Sequence, residues 1–154
     1  MKALIVALAV LGTSFIAKAD GFVCTSESGL VLKVYNHTEA QKGTRSAAVM
    51  IVSNSGVGHG NKTIATFTDA KSTVSSYKQT YIGKVDLRVL ESNRKGELIG
   101  GTKLGQLDMI ILSVDFSYAA PLAHGQDVGA TLTLQKRNGE ELIEDVNCLR
   151  YLKN

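Results

Sequence analysis

Aromatic residues make up only 6% of this 154-residue chain, and tryptophan is absent. That is too few for the two interfacial girdles of a membrane barrel. The apolar run from Ala3 to Ala17 falls short of the ~20 residues a spanning helix needs. Beyond that run there is no convincing amphipathic helix, no internal repeat, no low-complexity tract and no interdomain linker. No Asp-rich calcium loop occurs. Lys and Arg are scattered and interleaved with acids, not gathered into the basic face that a phosphate-backbone binder requires. No nucleic-acid partner is therefore expected.

What is present begins with an export signal. Met1-Lys2 is a short positive region, Ala3 to Ala17 is apolar, and Ala17-Lys18-Ala19 forms an A-x-A site before the polar Asp20-Gly21. These are the parts of a cleavable secretory signal in their proper order. A lipoprotein signal needs Cys directly after the cut, but the first Cys, Cys24, follows Gly21-Phe22-Val23. Cleavage is expected after Ala19, dividing the chain into a signal peptide over 1–19 and one exported domain over 20–154. The mature chain keeps no stable membrane anchor, and its compartment is periplasmic or extracellular. Lys2 and Lys18 leave with the signal, removing two units of the +3 formal charge. The pI near 8.9 thus belongs to the precursor.

Only two cysteines exist, Cys24 and Cys148, near opposite ends of the mature domain. In an oxidising compartment an isolated pair of this kind predicts a disulfide tying the first strand to the last. A loop that long contributes about 4–5 kcal/mol in the chain-entropy account, and measured values often fall short.

Strand signals fill the mature domain. Phe22 to Thr25 is a short candidate, closed by a turn over Ser26 to Gly29. Leu30 to Asn36 sets Leu30, Leu32 and Val34 on one face. Arg45 to Ser53 is apolar on both faces, Asn54 to Gly60 is a glycine-rich turn, and Thr63 to Thr68 is the returning strand. Between Tyr81 and Glu91, Val85, Leu87 and Val89 alternate with Lys84, Asp86 and Arg88, the period of a half-exposed antiparallel strand. Leu98-Ile99 begin a return broken by Gly100-Gly101. In the most apolar stretch, Leu104 to Tyr118, Ile110, Leu112, Val114 and Phe116 share a face. A loop holding the only proline, Pro121, precedes the alternating run from Val128 to Leu134. Asn138-Gly139 predicts a two-residue hairpin turn with positive φ at both positions. The last strand spans Leu142 to Leu152. Short polar connections favour antiparallel neighbours. The expected fold is all-β: a meander-rich β-sandwich or a small closed barrel of about eight strands, preceded by a signal-peptide helix.

Motifs that promise chemistry fail on spacing. Gly56 to Thr63 resembles a phosphate-binding loop, but Asn61 replaces the second glycine and Ile64 to Phe67 favours strand over helix. His37, His59 and His124 sit in separate predicted turns, so a metal site would have to be assembled from distant loops. The acids Glu140, Glu141, Glu144 and Asp145 follow a tight turn and read as a solvated strand face. Asp108 and Asp115 are more suggestive, because burial in the most apolar strand would raise their pKa values and make them candidate site residues. Asn36-His37-Thr38 and Asn61-Lys62-Thr63 match the N-glycosylation pattern and read as chance matches in a chain whose compact signal is bacterial.

No catalytic, cofactor-binding or metal-binding residue can be assigned, and no cofactor is expected. The size is compatible with lipocalin-like or inhibitor-like barrels, but without tryptophan the Gly-x-Trp element of lipocalins is missing and no family follows. The leading expectation is a non-catalytic binding or interaction module whose partner is a protein or a small apolar ligand. The alternatives are a small outer-membrane β-barrel, or an exported hydrolase whose site is assembled in space.

Overall fold

Alternation of apolar and polar residues is realised as eight antiparallel strands closed into a barrel in sequence order. The computed structural model describes residues 20–36, 45–56, 60–75, 77–86, 98, 101–116 and 122–152, with the side chains of 45–47 and 55–62 excepted. The expected signal over 1–19, with the cleavage site at Ala19, lies outside these residues. The strands are β1 (Asp20–Ser26), β2 (Leu30–Asn36), β3 (Arg45–Gly56), β4 (Gly60–Val74), β5 (Gln79–Lys84), β6 (Leu107–Val114), β7 (Asp127–Lys136) and β8 (Glu141–Leu152). A 3-10 turn, Leu104–Gln106, leads into β6. Of the two architectures open from the sequence, the chain adopts the barrel.

Closure is made by β1 pairing with β8, from Asp20↔Leu152 to Ser26↔Val146. In the middle of that seam Cys24 stands opposite Cys148, and the two form the expected disulfide with an S–S distance of 2.04 Å. The core lies inside the barrel. Phe22, Leu32, Met50, Leu112, Leu132 and Leu134 are fully buried there. Outward positions are largely polar: Thr25, Lys71, Glu141, Asp145 and Asn147 are exposed. Burial of the inward side chains, at about 1.5–3 kcal/mol each relative to exposure, is the main drive to close the sheet.

Four local readings change. β4 does not end at Thr68 but continues to Val74, because two bulges interrupt its alternation. Register shifts between Ala48↔Ala70 and Met50↔Phe67, and between Val52↔Ala65 and Ser53↔Thr63, insert an extra residue into β4 each time. Phe67 and Ala70, three apart, consequently both point inward, as do the adjacent Ile64 and Ala65. Asn54 to Gly56 are strand, not turn. β5 starts at Gln79 and its ladder ends at Lys84; Val85 is buried as expected, while Leu87 and Val89 fall outside the described residues. β6 begins at Leu107, since Leu104 belongs to the 3-10 turn.

The Asn138-Gly139 turn occurs where expected but with different geometry. The Gly139 N–H donates to the Lys136 carbonyl at 3.0 Å, and the Lys136 N–H donates to the Glu140 carbonyl at 2.8 Å. Only Gly139 has positive φ, at 91°; Asn138 does not. This is a three-residue loop over 137–139 ending in a glycine bulge, the next commonest hairpin solution. Asn138 serves through its side chain, whose Oδ1 accepts the Glu140 N–H at 3.0 Å.

Candidate functional site

The polar groups inside the barrel gather at one end. Here β1 begins, β2 ends, β5 begins and β8 ends. Arg150 Nη2 donates to Asp20 Oδ2 at 2.7 Å, and Asn36 Nδ2 donates to Asp20 Oδ1 at 2.9 Å and to the Tyr81 hydroxyl at 3.2 Å. Beside them Gln79 Nε2 donates to Ser72 Oγ at 3.2 Å. The Arg150 guanidinium carbon lies 4.7 Å from the Phe22 ring centroid and 5.1 Å from that of Phe116. Arg150 is thus charge-paired on one edge and held against aromatic surface, although its residue is only 6% exposed. Burial, and next the charge of Asp20, push the Tyr81 hydroxyl far above the ordinary tyrosine range. Asn36 Oδ1, Gln79 Oε1 and Arg150 Nε and Nη1 are buried at this end without a hydrogen-bond partner. The bonds these residues make join β1, β2, β4, β5 and β8.

A cleft lies elsewhere. β4 pairs with β5 only through Lys71↔Ile82 to Val74↔Gln79. Beyond that point β5 follows β6: Lys84 pairs with Met109, and the Val85 N–H donates to the Asp108 carbonyl at 2.8 Å. β4 carries its bulge at Thr68 and Asp69 there, and among the described residues its pairing with β5 stops at Lys71. Between them opens a cleft of about 300 Å³ lined by Ala65, Phe67, Thr68, Asp69, Lys84 and Asp86. Its floor is fixed by a close approach. A Cβ at Gly83 would come within 2.9 Å of the Phe67 ring, so glycine lets that ring lie flat on β5. The floor is therefore apolar, and the rim is charged.

Comparison with protein-family models, curated proteins and solved structures returns no match to this chain.

The residues singled out from sequence do not converge. Asp108 and Asp115 flank opposite ends of β6, roughly 20 Å apart along a strand. Neither is buried: Asp108 lies 3.9 Å from Arg137, and Asp115, with its side chain 64% exposed, lies 3.9 Å from Lys78. The burial that would have made them site residues is absent. His124 Nδ1 accepts the Leu152 N–H at 3.0 Å, and its ring lies 5.6 Å from Tyr151, which in turn meets Tyr35 edge-on at 5.6 Å. His37 and His59 lie outside the described residues. No group of three metal-ligating side chains forms among the described residues. The acids after the 137–139 turn are engaged at the surface: Lys136 Nζ donates to Glu140 at 2.9 Å, and Ser28 donates to Glu144 through N–H and hydroxyl at 3.2 and 3.1 Å. The Glu140 carboxyl is held below its ordinary pKa, first by the Lys136 hydrogen bond. Gly56 and Gly60 pair across the end of the β3–β4 hairpin, where a phosphate loop would need a helix. Asn36 is 1% exposed and its amide nitrogen is bonded twice, so it is no glycosylation acceptor in the folded chain.

Sequence reasoning missed the cleft because two strands that part leave no residue signature. It missed Asp20 and Arg150 because each has an ordinary neighbourhood in the chain and becomes buried only when β1 meets β8.

Proposed function

We propose that the mature chain is an exported binding module, without chemistry of its own, that engages a protein partner through the cleft between β4 and β5. The observation that carries this reading is the parting of those strands over an apolar floor, in a barrel whose described interior is filled by its own side chains. A filled interior favours a partner held at the surface over a small apolar ligand held within. The Cys24–Cys148 disulfide supports an oxidising, periplasmic or extracellular location.

An outer-membrane barrel turns apolar residues outward and polar residues inward. The described strands do the opposite, which supports a barrel surrounded by water. The hydrolase alternative asks for convergent titratable groups, and Asp108, Asp115 and His124 stand apart.

The test is site-directed photo-crosslinking in the cell envelope of the native host. A benzoylphenylalanine at Thr68, on the cleft, should give one discrete adduct with a protein, and the same probe at Thr133, on the outer face of β7, should give none. Recovery of the chain only in detergent extracts of membranes, or the same adducts at both positions, overturns the reading.

A further inference from the structure

We infer that the polar end of the barrel interior binds internal water, at one site formed by Arg150, Asn36 and Tyr81 and at a second formed by Gln79. Asn36 Oδ1, Gln79 Oε1, Arg150 Nε and Arg150 Nη1 are buried without a hydrogen-bond partner. Asn36, Gln79 and Arg150 are 1%, 0% and 6% exposed. A polar atom kept dry in such a place is costly, so in folded chains it nearly always meets protein or ordered water. The Phe22 and Phe116 rings beside the guanidinium favour its charge but accept hydrogen bonds only weakly.

The unmet groups are of both kinds. Arg150 offers two N–H donors, while Asn36 and Gln79 offer carbonyl acceptors. The Tyr81 hydroxyl accepts from Asn36 Nδ2 and so keeps its own proton to donate. The occupant must therefore both accept and donate. It must also be uncharged: Asp20 already neutralises Arg150, and an added ion would leave a net charge in a buried place. Water meets both conditions at the smallest size. Turning the Gln79 amide over exchanges an unmet acceptor for an unmet donor, which water satisfies equally.

Two sites follow from the placement of these groups. Arg150 and Asn36 bond to the two oxygens of one carboxylate, Asp20, so their unmet atoms lie near each other. A single water there can accept from Arg150 and Tyr81 and donate to Asn36, about the three bonds an internal water makes. Small neighbours leave it room: Asn36 stands opposite Ala48, and Ala48 opposite Ala70, both buried. Gln79 is held apart, through Nε2 on Ser72, and takes the second water.

The experiment is a high-resolution crystal structure of the oxidised mature chain, joined to oxygen-17 relaxation dispersion of the same chain in solution. The crystal should show one water oxygen about 2.7–3.2 Å from both an Arg150 nitrogen and Asn36 Oδ1, and another at that distance from Gln79 Oε1. Relaxation dispersion should register both as long-lived. Gln79→Met removes the acceptor at nearly constant length, and its dispersion amplitude should fall by the share of one water. Protein groups that meet all four atoms, an ion or organic solute in their midst, or sites that are dry in the native crystal overturn the proposal. An undiminished amplitude in Gln79→Met overturns the second site. Should that variant fail to fold, the native crystal decides alone.

Discussion

Asp20 and Arg150 meet at 2.7 Å across the seam where the first and last strands close the barrel. Both are largely buried, and Asp20 has a second donor in Asn36. A buried ion pair is no sure source of stability, but removing one partner strands the other charge in a poorly solvated place. Arg150→Met should therefore lower unfolding stability by about 3–5 kcal/mol. The double variant Asp20→Asn/Arg150→Met should recover part of that loss. Urea denaturation of the oxidised chain measures both, and an unchanged midpoint for Arg150→Met would show that the pair supports nothing.

The disulfide lies on the same seam, four residues along from Asp20. Reduction, or Cys24→Ala/Cys148→Ala, should cost about 2–5 kcal/mol. The two losses should not add. With the covalent link gone, the seam opens more easily and the ion pair counts for more. Combining Arg150→Met with reduction is expected to depart from the sum of the separate effects by at least about 0.5 kcal/mol. Strict additivity would mean that the seam does not open as a unit.

Much of the barrel was legible in the sequence, because one inward face per strand is a strong period-two signal. Leu30, Leu32 and Val34, and likewise Ile110, Leu112 and Val114, point as their spacing says. The signal failed where the chain breaks its own period. β4 inserts extra residues at Ile64 and at Thr68–Asp69, so its second half is out of phase with its first and reads as a separate Ser/Thr-rich stretch. Asn138 misled in another way. Its identity marks a hairpin, but whether the turn has two residues or three depends on strand twist that no dipeptide encodes. The candidate site was the least legible part. Apolar neighbours in sequence made Asp108 and Asp115 look buried, yet both sit beside strand ends where water reaches them. Asp20, next to the expected cleavage site and unremarked as an acid, is the carboxylate that the fold buries.

Gly83 should resist substitution for a reason that touches the cleft. Its missing side chain is the space the Phe67 ring occupies. Gly83→Ala should destabilise the chain by about 1–3 kcal/mol through overpacking. Phe67→Leu in that background should restore part of the loss, because the smaller side chain can yield. A Gly83→Ala variant of undiminished stability, read from its thermal midpoint, would mean that the cleft floor is soft.

Tyr81 should make the barrel sensitive to alkali. Its hydroxyl is buried near the Asp20 carboxylate and keeps its proton in the folded state far above pH 10, where tyrosine ordinarily ionises. Below about pH 10 the residue is neutral both folded and unfolded, and it adds no pH dependence. Above that, the unfolded chain loses the proton and the folded chain does not. The unfolded state then binds fewer protons, so stability falls as pH rises, by up to about 1.4 kcal/mol per pH unit. Tyr35, raised by partial burial and by Tyr151, pulls in the same direction from the surface. Tyr81→Phe removes the main source and gives up only the hydrogen bond from Asn36, worth about 1 kcal/mol at neutral pH. Urea midpoints followed from about pH 9 to 11 should fall more steeply in the native chain than in Tyr81→Phe. Lysine ionisation is common to both, so the difference isolates the tyrosine. Parallel curves would place the source of alkaline sensitivity outside the buried polar end of the barrel.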